Sequence, residues 1–270
     1  MNLNDVSYII DDYIKIMTKN NNIDSIVLSG SRSSLINDDM SDYDIYVYSK
    51  GLTKNKEDIE SRKEFALKYA SYSEIGNDYF EYGDEMILKE SGICLDFMYR
   101  DLSWIEGELE YVWRGCNSKI GYTTAFLYNI KNSNILYDKE GKFKKFQDEL
   151  NLEYPEKLKN NIIEKNFNVM YGKKTASFYE QLEKAVKRDD IVSINHRITA
   201  ILSSYFDILF ALNKELHVGE KKLVQYVLKL CSKIPDNFEK DIKNVIFYEQ
   251  NDKNILEKVK ILIENIEKIL

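Results

Sequence analysis

Ile26-Val-Leu-Ser-Gly-Ser-Arg-Ser-Ser34, followed by Ser41-Asp-Tyr-Asp-Ile-Tyr-Val47, is the stretch on which the reading of this chain turns. Ser25 to Ser29 is a short apolar run stopped by Gly30, which predicts a buried strand. After a polar, acidic loop, Asp42 to Tyr48 is rich in β-branched and aromatic residues and predicts a second strand. Side chains alternate along a strand, so Asp42 and Asp44 project from one face and Tyr43, Ile45 and Val47 from the other. Two neighbouring carboxylates repel unless a cation lies between them. Their natural partner is Mg2+, a hard ion held by one or two carboxylates together with substrate phosphates. Gly30 lets backbone approach a phosphate closely, and the Ser31 hydroxyl and nearby amides can donate to it.

A third acid lies in Ile93-Cys-Leu-Asp-Phe-Met-Tyr99. On a strand, Asp96 shares a face with Cys94 and Met98, while Ile93, Leu95, Phe97 and Tyr99 face the other way. An unpaired acid in an apolar strand is costly to bury. A metal shared with Asp42 and Asp44 removes that cost; the plainer alternative is a salt bridge from Asp96 to Arg100.

Around these segments the pattern is mixed. Val6, Ile9, Ile10, Tyr13, Ile14 and Met17 have helical spacing, ended by Asn20-Asn21-Asn22, and Glu57 to Ala70 predicts a second helix. Glu85 to Leu88, the turn Lys89 to Gly92, and Ile93 to Tyr99 predict a β-hairpin. Beyond Tyr154-Pro155 no strand is expected. Helical patterns run over Glu156–Lys187, Ile191–Asn213, Glu220–Cys231 and Asn254–Leu270, punctuated by Val218-Gly219 and Pro235. The expected fold class is α+β. A mixed α/β domain with a small sheet spans residues 1–150, and an α-helical bundle spans 151–270.

Composition narrows the function classes. The 270 residues carry 45 acidic against 38 basic side chains, a formal charge of −7, which disfavours a nucleic-acid partner. Three scattered cysteines and two histidines give neither a disulfide framework nor a zinc spacing. The N-terminus has acids where a signal peptide has bases, and no apolar run approaches the ~20 residues of a membrane span. A cytoplasmic location, no membrane partner, and a monomer or homodimer are the expectations.

Gly-Ser, a loop, Asp-x-Asp on a strand and a third carboxylate on a later strand resemble the nucleotidyltransferase superfamily with the DNA polymerase β-like fold. The chain looks most like antibiotic-type nucleotidyltransferases and their relatives with an appended helical bundle. Gly83-Asp-Glu85, Trp104-Ile-Glu106, Gly121-Tyr-Thr-Thr-Ala125 and His217-Val-Gly-Glu-Lys-Lys222 also resemble that group. Met86 departs from it, standing where an aromatic often follows the Gly-Asp-Glu, which bears on the acceptor pocket. The resemblance implies transfer of a nucleoside monophosphate from an NTP, ATP first, to a hydroxyl of a small acceptor such as an aminoglycoside or lincosamide-like antibiotic. Asp42, Asp44 and Asp96 would hold one or two Mg2+ ions. Gly30, Ser31, Arg32, Lys221 and Lys222 would meet the nucleotide, Glu106 (with Glu108 as its alternative) would act as base, and Asp84 and Glu85 would bind the acceptor. Two other readings are nucleotidylation of a protein or RNA acceptor, and a non-catalytic binding module.

Between Glu74 and Asp96 seven acids are opposed only by Lys89, with Tyr79, Phe80 and Tyr82 interleaved. That is a solvated surface or a pocket for an amine-bearing acceptor whose sugar rings stack on the aromatics. Trp104, Trp113, His196 and His217 read as structural residues, and Glu183 to Arg188 as a solvated helix face.

Overall fold

The computed structural model describes residues 4–30, 42–51, 54–173, 176–248 and 254–270. The chain divides into two compact units, residues 1–109 with 129–152, and residues 110–128 with 153–270.

The first unit is built on six strands: β1 (Ile23–Ser29), β2 (Tyr43–Ser49), β3 (Ala70–Asn77), β4 (Gly83–Leu88), β5 (Cys94–Asp101) and β6 (Asn134–Asp138). They form one mixed sheet in the order β3-β4-β5-β2-β1-β6. β2 and β5 run parallel, and the other neighbours are antiparallel. Helices α1 (Asn4–Met17) and α2 (Lys56–Tyr69) supply the apolar cover of one sheet face. Val6, Ile9, Ile10, Tyr13, Phe65 and Ala66 join Ile26, Ile45, Val47, Leu95 and Phe97 in one buried cluster. This is the alternation expected of β2 and β5, and it settles which side their acids take.

On the opposite face are α3 (Leu102–Glu108), α4 (Ala125–Asn132) and α5 (Lys142–Leu150). Phe143 on α5 packs its ring 5.4 Å from that of Tyr48. Gln147 donates its amide to the carbonyls of Ile130 and Ser133, closing the exposed end of α4.

The hairpin expected over residues 85–99 is present as β4 and β5. β3 and β6 carry no apolar alternation in the sequence, and each pairs with one neighbour only, at an edge of the sheet. Edge strands lack the two-sided burial that writes a pattern into a sequence.

The second unit contains α6 (Glu156–Tyr171), α7 (Phe178–Lys187), α8 (Ile191–Leu212), α9 (Leu223–Leu230), α10 (Phe238–Ile246) and α11 (Ile255–Glu267). Ile194, Ile198, Ile201, Tyr205, Ile208 and Leu212 form a buried stripe along α8, three and four residues apart. The single helix expected over Glu156–Lys187 is two. The first ends at Gly172, where a Cβ would lie 2.5 Å from the Asn168 carbonyl oxygen, and Ser177 caps the second by accepting from Glu180 N–H at 3.3 Å. Among the described residues no helix is long and apolar enough to cross a membrane.

Candidate functional site

Register brings the acids of the first unit together. Asp44 on β2 is the direct partner of Asp96 on β5; Ser29 on β1 faces Asp44 from one side, and Glu85 on β4 faces Asp96 from the other. Glu74 on β3 continues the row opposite Glu85. Directly paired residues project from the same face, and neighbouring strands lie about 4.8 Å apart. A row of four carboxylates therefore crosses the sheet from β2 to β3. Asp42, exposed, stands just ahead of β2.

Cys94 reports the charge on this face. Its thiol donates to Asp96 Oδ1 at 3.6 Å. Burial pushes the thiol up to about 12, and the negative charges of Asp96, Asp42 and Glu85 push in the same direction. A soft thiolate is thus suppressed among hard oxygen donors.

Gly30 ends β1 with φ +64°, a left-handed conformation that favours glycine. A Cβ built there would fall inside the Asp44 carboxylate, with Asp44 Cγ only 2.6 Å away. The backbone of Gly30 therefore lies directly against the Asp44 carboxylate. Ser31 and Arg32 lie outside the described residues.

Other expected site residues fall elsewhere. Asp84 lies away from Glu85: its side chain has no exposure, and alternation turns it to the opposite face of the sheet. There it accepts from Arg62 Nη1 at 2.8 and 3.0 Å, from Tyr99 Oη at 2.5 Å and from Gly76 N–H at 2.7 Å. Burial raises its carboxyl above the ordinary range, and Arg62 is the largest influence drawing it back. Met86 is fully buried on that same face, as part of the core cluster.

Glu106 is exposed on α3, which leaves from the far end of β5. Five residues separate Asp96 from the end of that strand, about 16 Å at strand pitch. Glu85 is the glutamate that register sets beside Asp96. Arg100 donates to both Glu81 carboxylate oxygens, at 2.9 and 3.0 Å, and stacks over Tyr46 and Trp104. Tyr79 and Phe80 are exposed at the β3–β4 loop, whereas Tyr82 is packed against Tyr99 and Arg62.

In the second unit Lys221 and Lys222 are exposed and precede α9, with Lys222 in a left-handed conformation (φ 56°). Nearby in sequence, His217 N–H donates to Thr124 Oγ1 at 2.7 Å, and the His217 ring meets that of Tyr122 at 4.8 Å. Asp207 is buried and accepts from Thr123 N–H (3.0 Å), Thr123 Oγ1 (2.6 Å) and Asn166 Nδ2 (3.0 Å). Burial still raises its carboxyl to about 7. Asn166 Oδ1 accepts from Gly121 N–H at 2.9 Å, which ties the loop after Ser118 to α6 and α8. Nothing in the local pattern around Asp207 or Asn166 marked them, because each sits inside a long helix beside apolar residues.

The family model "Domain of unknown function (DUF4037)" matches residues 121–222, the span that holds this buried polar cluster. No curated protein matches the sequence. Among solved structures, the chain is similar to a nucleotidyltransferase-like protein from Exiguobacterium sibiricum 255-15. That match has a TM-score of 0.46 and 7% identity over 95% of this chain and 71% of that one. It is also similar to the STING-associated CdnE c-di-GMP synthase from Capnocytophaga granulosa, with a TM-score of 0.28 and 14% identity over 97% of this chain and 78% of the other.

Proposed function

We propose that this chain is a Mg2+-dependent nucleotidyltransferase. It moves a nucleoside monophosphate from an NTP, ATP first, to a hydroxyl of a small amine-bearing acceptor and releases pyrophosphate. The observation that carries the reading is the pairing of Asp44 with Asp96 across the parallel strands, with Gly30 packed on Asp44.

The donor chemistry fits a hard cation: carboxylate oxygens beside a thiol kept protonated. Among the described residues no group of three or more His, Cys, Asp or Glu side chains is arranged to hold a metal ion. Two carboxylates, Asp44 and Asp96, are then the core of the protein's share, with Asp42 next to them. Phosphates and water complete such a shell in the usual manner of Mg2+ beside nucleotides. When bound, the cation supplies charge neutralisation on the triphosphate.

The side chains do the rest. In this reading Glu85, beside Asp96, takes the acceptor's hydroxyl proton. The acceptor oxygen bonds to the α-phosphorus, the α–β anhydride bond breaks, and pyrophosphate leaves. Ser31 and Arg32, next to Gly30 in the sequence, are candidates for the triphosphate. The continuation of the row through Glu85 and Glu74 favours a cationic acceptor, so aminoglycoside-like antibiotics are the first class to try.

The test is intact-mass analysis of acceptors after incubation with Mg2+ and each NTP. Aminoglycosides, lincosamides and candidate proteins make up the panel. One added nucleoside monophosphate, lost in Asp44→Asn, is the expected result. No added mass together with no binding of Mg2+–NTP overturns the proposal.

A further inference from the structure

We infer that Asn129 on α4 is a positioning residue for Asp44, acting through Ser29 and Gly30. Ser29 is fully buried as the last residue of β1, directly opposite Asp44. Its hydroxyl donates to Asn129 Oδ1 and lies 2.7 Å from Ser133 Oγ. Ser133, just past the end of α4, in turn donates to the Asn129 carbonyl oxygen at 2.7 Å, so both side chains converge on one strand residue.

The Asn129 carboxamide thus holds the end of β1, from which Gly30 follows. Gly30 follows Ser29 without an intervening residue and lies against the Asp44 carboxylate. A shift of the β1 end passes directly into that contact, and interiors transmit strain because they are close-packed. Partners behind a ligating carboxylate usually matter by about 10–100-fold in metal affinity or activity.

The catalytic consequence rests on the nucleotidyl-transfer reading; the positioning itself does not. Two readouts separate them. In the metal-free protein, the Gly30 amide and Asp44 carboxyl resonances are compared by NMR at fixed pH in wild type, Asn129→Ala and Ser29→Ala. Both variants are expected to shift the two resonances, and the double variant should move them no further than the larger single effect, as expected of one shared path.

Mn2+ titration by calorimetry is the second readout, with about 10–100-fold weaker binding expected in both single variants. Phe143→Leu, a core change on α5 outside the network, controls for general loss of stability and should leave both readouts unmoved. Unshifted resonances in folded Asn129→Ala overturn the inference, and Ser29→Ala gives the same decision if Asn129→Ala does not fold. Shifted resonances in a protein that binds neither Mn2+ nor Mg2+–NTP uphold the positioning and count against nucleotidyl transfer.

Discussion

Gly30 has no room for a side chain, because the Asp44 carboxylate occupies the volume a Cβ would take, and its φ of +64° is strained for any other residue. Gly30→Ala is therefore expected to cost about 1 kcal/mol or more in stability. It should also displace Asp44, and thermal melting together with Mn2+ titration reads both effects. The two neighbouring acids on β4 part company in the same kind of test. Glu85→Gln should leave the melting temperature within about a degree or two and remove transferase activity. Asp84→Asn should do the reverse in proportion, since it breaks a buried pair with Arg62 worth about 3–5 kcal/mol when one partner is lost. Urea unfolding beside an activity assay decides between them. Both acids sit in the same Gly-Asp-Glu and look equivalent in the sequence. What separates them is strand alternation together with Arg62, a cation 22 residues earlier that no local pattern assigns to Asp84.

Elements buried on a definite face were legible, and edge elements were not. β1 announces itself as a short apolar run, β2 and the β4–β5 hairpin through their β-branched and apolar content, and α1 through its helical spacing. β3 is a polar edge strand that continues directly from α2, and β6 is five residues long. The parallel pairing of β2 with β5 was also unreadable, although alternation alone gives the strand faces of Asp44 and Asp96. Register is a tertiary outcome, and it is what sets Glu85 beside Asp96. The break between α6 and α7 was written in the chain after all: Gly172 followed by Ser177-Phe-Tyr-Glu180 has the spacing of a capping box. Ser177→Ala is expected to cost about 1 kcal/mol, read by urea unfolding, because it removes the acceptor for Glu180 N–H.

At the scale of the molecule, two buried groups in the helical unit give stability opposite slopes with pH. Burial raises Asp207 to about 7 from an ordinary 3.8, so the folded chain holds a proton that the unfolded chain has released; stability falls as pH rises from about 4 to 7. Burial lowers His217 to about 3 from 6.5, so its contribution is complete above 6.5 and is lost as pH falls toward 3. Between about pH 4 and 6.5 the two oppose each other. Asp207→Asn should expose the rising slope of His217 alone, up to about 1.4 kcal/mol per pH unit, in urea unfolding at stepped pH. A flat profile in that variant would count against the buried neutral histidine. The division of the chain has a further consequence for the order of events during synthesis. β1 waits for β6, more than a hundred residues downstream, and residues 110–128 leave the ribosome before the sheet they interrupt can close. A nascent chain halted at residue 128 should therefore present β1 as an open edge and aggregate, whereas one halted beyond residue 152 has every strand it needs.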